Sequence, residues 1–81
     1  MHEEAGAAKP QAVRTVADVG AIVASVRKRQ GLTQLDVSGL GGMGIRFMVD
    51  LEKGKQTIQM QKVMDVLAQL GLEIVIVNKG A

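Results

Sequence analysis

Apolar residues recur along the chain at the three- and four-residue intervals of amphipathic helices. The first such stretch predicts a helix over residues 16–30, and its buried stripe consists of Val16, Val19, Val23 and Val26. The last predicts a helix over residues 60–70, and its buried stripe consists of Met60, Val63, Met64, Leu67 and Leu70. Two shorter helices are predicted between them, over residues 34–40 and 45–52, and no helix is expected before Thr15.

Polar residues and glycines mark the ends of these helices. Capping boxes, in which side chains satisfy backbone amides of the first turn, are predicted at two starts, Thr15 with Asp18 and Thr33 with Asp36. Glycines are expected to end three helices, at Gly31, Gly54 and Gly71. Gly20 lies inside the first helix, where it costs about 1 kcal/mol relative to alanine. This favours either close packing at Gly20 or a tolerated weakness.

The pattern changes after Gly71, where Glu73, Ile74, Val75, Ile76 and Val77 form a short, mostly β-branched run. Such a run predicts a β-strand, but the chain offers no second strand to pair with it. Because an unpaired strand invites association, we expect two copies to pair across a two-fold axis as a homodimer. A C-terminal segment packed on its own helices is the alternative, and a dimer through a helical face also stays open.

The composition fits one small globular domain. The 81 residues are 47% hydrophobic and 22% charged, and Phe47 is the only aromatic residue. The core is therefore expected to be aliphatic, with methionines as filler and Phe47 in packing rather than in a partner contact. The chain has no cysteine, which excludes disulfides and thiolate metal sites.

Three regions follow from these patterns: a flexible tail over residues 1–14, a folded domain over residues 15–72, and a dimerisation strand with its tail over residues 73–81. The first region lacks the apolar stretch of a signal peptide. No apolar run approaches the roughly 20 residues that span a bilayer. We therefore expect a cytoplasmic protein with no membrane partner.

Residues 32–54 space their small, apolar and glycine positions as a helix-turn-helix requires. Counted from Gln34, the fifth position is Ser38, which is small enough for a second helix to cross close to it. The ninth is Gly42, because a sharp turn between helices favours a residue that tolerates positive φ. The second helix then closes on the first through Met43, Met48 and Leu51. An ordinary helical hairpin with a glycine turn is the alternative.

The outward N-terminal part of the second helix of a helix-turn-helix enters the major groove of DNA. Its outward positions here are Ile45, Arg46, Val49 and Asp50. Arg46 can contact guanine O6 and N7 or a phosphate, and its alternative is a surface ion pair with Asp50. Ile45 suits a thymine methyl and a partial core contact equally well. Asp50 is expected to orient Arg46 rather than to accept from cytosine.

The formal net charge is only +2, but the excess positive charge coincides with this motif. Six basic residues, Arg27, Lys28, Arg29, Arg46, Lys53 and Lys55, stand against four acidic ones, Asp18, Asp36, Asp50 and Glu52. Such a patch is typical of proteins that bind nucleic acid. Lys28 and Arg29 are expected to be solvated at a helix end, with phosphate contact as their alternative.

Four segments carry a family resemblance: GLTQ at residues 31–34, Gly42, Phe47 and DLEKGK at residues 50–55. Over residues 15–72 the chain resembles the lambda-repressor/Xre superfamily of helix-turn-helix domains. Within it, the chain looks like the HipB-like antitoxin regulators, because the domain is compact, LGL ends the last helix, and the β-branched tail resembles the dimerising strand of HipB.

This resemblance implies a compact all-α domain of four to five helices with a short C-terminal strand paired across a homodimer. It implies a repressor that binds double-stranded DNA at a palindromic operator of its own operon and, in the antitoxin case, a HipA-like kinase toxin. The residues it places at DNA are Thr33, Gln34, Gly44, Ile45, Arg46, Val49, Asp50, Lys53 and Lys55. It also implies an ion pair of Arg27 with Glu52 that ties the first helix to the end of the recognition helix.

Four positions depart from the family pattern. Gly44 replaces the usual Ser or Thr cap of the recognition helix, at little cost since glycine caps nearly as well. Gly39 and Gly41 stand where helix formers are usual, so the second helix is expected to end early or to move more. Leu35 occupies a position that is usually polar, where it would contact a partner.

The chain contains no recognisable catalytic arrangement, since the few carboxylates have capping or pairing roles. We expect no enzyme activity, no cofactor and no metal, and a nucleoid-associated protein. Two alternatives to the antitoxin stay open. One is a stand-alone or prophage-type Xre transcriptional regulator without a toxin, and the other is a protein-interaction module with the same fold but no DNA binding.

Overall fold

The computed structural model of the chain describes residues 10–41 and 44–80. Four α-helices lie within them: α1 (Val16–Arg29), α2 (Gln34–Gly41), α3 (Ile45–Lys53) and α4 (Met60–Gln69). Each lies within one residue of its predicted bounds. The predicted early end of α2 is wrong, because the helix runs through Gly39 to Gly41. The predicted turn residues Gly42 and Met43, and residues 1–9 of the predicted tail, lie outside the described residues.

Both predicted capping boxes are present. Thr15 accepts from the Asp18 amide at 3.1 Å while Asp18 accepts from the Thr15 amide at 3.2 Å. The Arg14 amide also donates to Asp18, and it is the main reason that the pKa of this carboxyl lies below its usual value. At α2, Thr33 and Asp36 exchange the same two bonds at 3.0 and 2.8 Å. These local bonds fix where α1 and α2 begin.

Two glycines allow α1 to approach the end of α3 closely. A Cβ at Gly20 would collide with the carbonyl oxygen of Leu51. Gly54 ends α3 with φ +83°, a conformation that favours glycine, and a Cβ there would lie 2.7 Å from Cα of Ala17. Of the two alternatives for Gly20, close packing is the one that the structure shows, and it allows the short distance between α1 and α3.

The core is aliphatic, as predicted. Its buried members come from all four helices and the residue after α4: Val23, Val37, Met48, Leu51, Val63, Val66, Leu67 and Leu70. Phe47 is half-buried and packs against this cluster. Of the predicted α1 stripe only Val23 is fully buried, while Val16, Val19 and Val26 are half-buried.

The prediction for α4 is partly wrong. Met60 and Met64 are exposed instead of filling the core, and Val66 is buried in their place. Two helical stripes overlap in this sequence, one beginning at Met60 and one at Val63, and both have the same spacing. Only the stripe that begins at Val63 faces α2 and the rest of the core, a choice that periodicity does not make.

Residues 73–77 form no strand in the described chain. Ile74 lines a shallow groove with Met64, Leu67 and Leu72, whereas Val75 and Val77 are exposed and Ile76 is 93% exposed. The alternative in which this segment packs on its own helices therefore fails beyond Ile74. Strand pairing needs a second copy and stays a prediction.

Candidate nucleic-acid interface

α2 and α3 pack against each other as the two helices of the predicted motif. Val37 and Met48 are fully buried between them and the core, and Leu51 is buried one turn later. Ser38 is also buried, and its hydroxyl donates to the carbonyl oxygen of Leu35 at 3.0 Å. The buried hydroxyl therefore has a hydrogen-bond partner. The packing fixes which side of α3 faces outward.

The outward side of α3 carries most of the predicted contact residues. Ile45 is 48% exposed and lies outside the core cluster, Val49 is half-buried, and Lys53 is exposed. Gly44 is the N-cap of α3, with an extended backbone and no side-chain cap bond. The first turn of α3 therefore presents its backbone beside these side chains without a capping group in between.

A second feature of this face is a carboxylate between two cations. Nε of Arg46 lies 3.2 Å from Asp50, one turn along α3, and Nζ of Lys55 lies 3.6 Å from the other oxygen of the same carboxylate. The Arg46 side chain is 85% exposed and that of Asp50 is 20% exposed. The group keeps a net positive charge and an exposed guanidinium. In the single chain Arg46 therefore makes the surface ion pair that was the alternative to DNA contact, and the same contact is the one expected of Asp50 as an orienting residue.

The opposite flank of α3 holds the predicted ion pair. Arg27 donates from Nε to one oxygen of Glu52 at 2.7 Å and from Nη2 to the other at 3.1 Å. Its Nη1 donates to the carbonyl oxygen of Leu32 at 2.6 Å. Both charged side chains are only 9% exposed. This two-point contact joins α1, the turn after it and the end of α3.

The surroundings shift the pKa of both partners. Burial would raise the pKa of Glu52, but hydrogen bonds from Arg27 and Gln34 and the nearby positive charges outweigh it and hold this pKa below its usual value. The hydrogen bonds to Glu52 raise the pKa of Arg27 further. Both groups are thus charged at neutral pH, and each compensates the burial of the other.

Gln34 and Thr33, two predicted contact residues, have bonds within the protein. Thr33 caps α2, and the Gln34 amide donates to Oε1 of Glu52 at 3.0 Å. The bond between Gln34 and Glu52 was not predicted, because the two residues lie 18 positions apart and only the crossing of α2 with α3 brings them together. Gln34 is the first residue of α2 and is half-buried.

Two further polar residues, Gln30 and Lys62, have contacts that the sequence did not reveal. The side-chain amide of Gln30 donates from Nε2 to the carbonyl oxygen of Leu70 at 2.9 Å, and this bond joins the ends of α1 and α4. Nζ of Lys62 lies 5.9 Å from the ring centre of Phe47, within cation–π range. Lys28 and Arg29 are exposed at the end of α1. No simple sequence spacing signals the first two contacts.

Two absences can be stated for residues 10–41 and 44–80. No three His, Asp or Glu side chains gather there closely enough to hold a metal ion. None of the described helices combines the length and the apolar character needed to cross a membrane.

One relative decides the family. The chain is 50% identical to the HTH-type transcriptional regulator y4mF of Sinorhizobium fredii over 68 residues, which are 84% of this chain and 90% of the relative. The chain belongs to the HTH-type transcriptional regulators. The helix-turn-helix predicted at residues 32–54 agrees with this family. No family model matches the sequence of this regulator.

Solved structures of HipB share the fold of this regulator. A HipB variant in complex with an O2 20-mer matches at TM-score 0.79 and 16% identity, covering 86% of this chain and 97% of that one. A HipB–O4 20-mer complex and a HipA–HipB–O2–O3 complex each match at TM-score 0.78 and 16% identity, with coverage of 85% and 97%. The predicted resemblance to HipB-like helix-turn-helix domains is confirmed for the fold.

Proposed function

We propose that this transcriptional regulator is a repressor that recognises a specific double-stranded DNA sequence through the outward face of α3. One observation carries the proposal: the guanidinium of Arg46, in the first turn of α3, is 85% exposed and lies 3.2 Å from Asp50. An exposed guanidinium at the start of a recognition helix can reach the paired acceptors of guanine in the major groove.

The residues around Arg46 are proposed to have different roles in DNA binding. Lys55 and Lys53 lie after the reading positions and would neutralise phosphates, which adds affinity without sequence preference. Ile45 and Val49 offer apolar contact to thymine methyl groups. Asp50 reduces the positive charge of the face and would disfavour orientations of Arg46 that only follow the backbone. Gly44 and Thr33 would bring backbone amides and a hydroxyl close to a phosphate.

The protein is proposed to act as a homodimer on a palindromic operator. Support comes from residues 73–77, whose apolar side chains beyond Ile74 are exposed in the single chain and would be covered by a second copy. A dimer would place two α3 helices about 34 Å apart, one turn of DNA. Removal of residues 73–81 is expected to give monomers in sedimentation; an unchanged dimer would point to a helical face instead.

Selection of bound duplexes from a random-sequence pool tests the DNA-binding proposal without assuming an operator. We expect enrichment of a palindrome with half-sites one helical turn apart. Its affinity should fall steeply with salt because each neutralised phosphate releases counterions. A pool that stays random after several rounds, with the protein folded, would contradict sequence-specific binding and favour a protein-interaction module.

The biological role that we propose is that of an antitoxin which binds its own operator and a HipA-like kinase toxin. The support is the shared fold with HipB in a complex that also contains HipA. Co-purification with the product of the neighbouring gene tests this role. A kinase-like partner that stays bound through gel filtration is the expected result, and its absence would leave a stand-alone regulator.

One observation favours a protein partner on a surface other than α3. Leu35 is 64% exposed at the second position of α2, and an exposed apolar side chain there does not stabilise the single chain by burial. Leu35→Lys should weaken partner binding while DNA binding stays unchanged, if this residue contacts the toxin. Loss of DNA binding in this variant would place Leu35 at the nucleic acid instead.

A further inference from the structure

The hydrogen bond between Gln34 and Glu52 links the first residue of α2 to the end of α3. It joins the side-chain Nε2 of Gln34 to Oε1 of Glu52 at 3.0 Å. A carboxylate offers acceptors only, so the nitrogen of the amide, and not its oxygen, must face Glu52. The chemistry of Glu52 therefore decides which way the Gln34 amide points.

Glu52 cannot turn without breaking other bonds. Both of its carboxylate oxygens accept from Arg27, at 2.7 and 3.1 Å, and Arg27 is fixed in turn by the carbonyl oxygen of Leu32 at 2.6 Å. Planar two-point contacts of this kind are strong and specific in geometry. The Gln34 amide is thus attached to a rigid, nearly buried group, unlike the exposed side chains of α3.

The bond to Glu52 leaves the amide oxygen and one N–H of Gln34 available. Gln34 makes no further side-chain hydrogen bond within the described residues, and it is only half-buried. A neighbouring acceptor and donor match the edge of a base such as adenine, whereas a phosphate offers acceptors alone. The orientation that Glu52 imposes is therefore suited to reading a base.

We propose that Glu52 is a positioning residue for DNA recognition that acts through Gln34. This inference rests on the proposed function, because it assigns to Gln34 a base edge with adjacent donor and acceptor groups. Glu52 itself contacts no DNA in this scheme. Its part is to hold one amide orientation out of two, so that the recognition surface extends from α3 onto the start of α2.

A double-mutant comparison separates positioning from support of the fold. Arg27→Met with Glu52→Met removes the carboxylate without leaving a buried charge unpaired, a kind of replacement that proteins often tolerate. The four proteins compared are the original protein, the Arg27→Met, Glu52→Met protein, the Gln34→Ala protein and the protein that carries all three substitutions. Each of the four proteins is titrated by fluorescence anisotropy against the selected duplex and against a scrambled duplex of equal length.

We expect the ratio of specific to scrambled affinity to fall about fivefold when the ion pair is replaced, the lower end of what a paired base contact contributes. The same replacement should change nothing in the Gln34→Ala background. An equal fall in both backgrounds would overturn the inference and leave Glu52 a purely structural role. Failure of the original protein to distinguish the two duplexes would instead contradict the proposed function.

A measurement on the DNA-free protein gives an independent answer. The two side-chain amide protons of Gln34 should be well separated in NMR spectra and slow to exchange in the original protein. In the Arg27→Met, Glu52→Met protein they should take the values of a solvated glutamine, while backbone signals of the core keep their dispersion. Solvated values already in the original protein would overturn the inference, whatever the DNA titrations give.

Discussion

The two carboxylates of α3 lie two residues apart and have opposite surroundings. Glu52 accepts from a guanidinium in a nearly buried two-point contact, whereas Asp50 lies between an exposed guanidinium and a lysine, one at each of its oxygens. The same residue classes thus form a rigid joint on one flank of the helix and an accessible charge cluster on the other. An arginine–carboxylate pair tells little about its role until the burial of both partners is known.

The largest expected difference between the two flanks concerns stability. Arg27→Met should lower the free energy of unfolding by about 3–5 kcal/mol, because it leaves Glu52 buried without its counterion. The matched variant Arg46→Met breaks the exposed pair and should cost no more than about 0.5 kcal/mol. Urea denaturation at one fixed protein concentration measures both values. Similar losses in the two variants would remove the distinction between the flanks.

The close approach of α1 to α3 supports the buried flank and should also be sensitive. Gly20→Ala adds a methyl group against the Leu51 carbonyl oxygen and should cost about 1–3 kcal/mol, typical of overpacking. Gly39→Ala is the control, since a Cβ there meets no atom within 4 Å, and it should stabilise α2 by up to about 1 kcal/mol. Thermal unfolding would contradict this account if both variants moved in the same direction.

The exposed flank should instead govern DNA binding. Arg46→Ala should lower the affinity for the selected duplex by about 1–3 kcal/mol and the affinity for scrambled DNA far less, because a base contact is lost. Lys55→Ala should lower the affinity for both duplexes alike. It should also reduce the slope of log affinity against log salt concentration by about 1, the value for one lost phosphate contact. Anisotropy titrations at several salt concentrations distinguish the two patterns. A uniform loss in Arg46→Ala would assign this residue to the phosphate backbone.

The smallest effect concerns acid stability. The pKa of Glu52 is lower in the folded protein than its usual value near 4.5, so its contribution to stability is complete above that pH. The contribution disappears as the pH falls through the folded-state pKa, because protonation of the Glu52 carboxylate removes its charge and breaks the ion pair with Arg27. Stability curves from pH 7 to pH 3 should therefore be steeper for the original protein than for Arg27→Met with Glu52→Met. Parallel curves would contradict a stabilising pair.

The sequence contained most of the local structure. Helix starts at Thr15 and Thr33 depend on bonds between residues three positions apart, so a single stretch of sequence is enough to predict them. The burial of Val66 in place of Met60 was missed because two stripes of α4 have equal periodicity. Which stripe is buried depends on where α2 lies, and that is a property of the whole fold.

The candidate interface was likewise predictable where it depends on helix geometry, and not where it depends on contacts between helices. The outward position of Arg46 follows from helical geometry once Met48 and Leu51 are assigned to the core. The bond of Gln34 to Glu52 does not, because it depends on a crossing of two helices and on the carboxylate already being held by Arg27. Contacts between side chains distant in sequence require the packed structure.

The collision that a side chain at Gly20 would have with Leu51 has a consequence for how such a protein can change its DNA preference. The close spacing of α1 and α3 depends on the absence of side chains at Gly20 and Gly54, whereas Ile45 and Arg46 are exposed at the other end of α3, so we expect substitutions at these two positions to leave that spacing unaltered. Specificity can therefore diverge between gene copies, or be redesigned in a library of α3 surface variants, while the scaffold stays constant. Changes of preferred sequence in such a library would report on the substituted side chains alone.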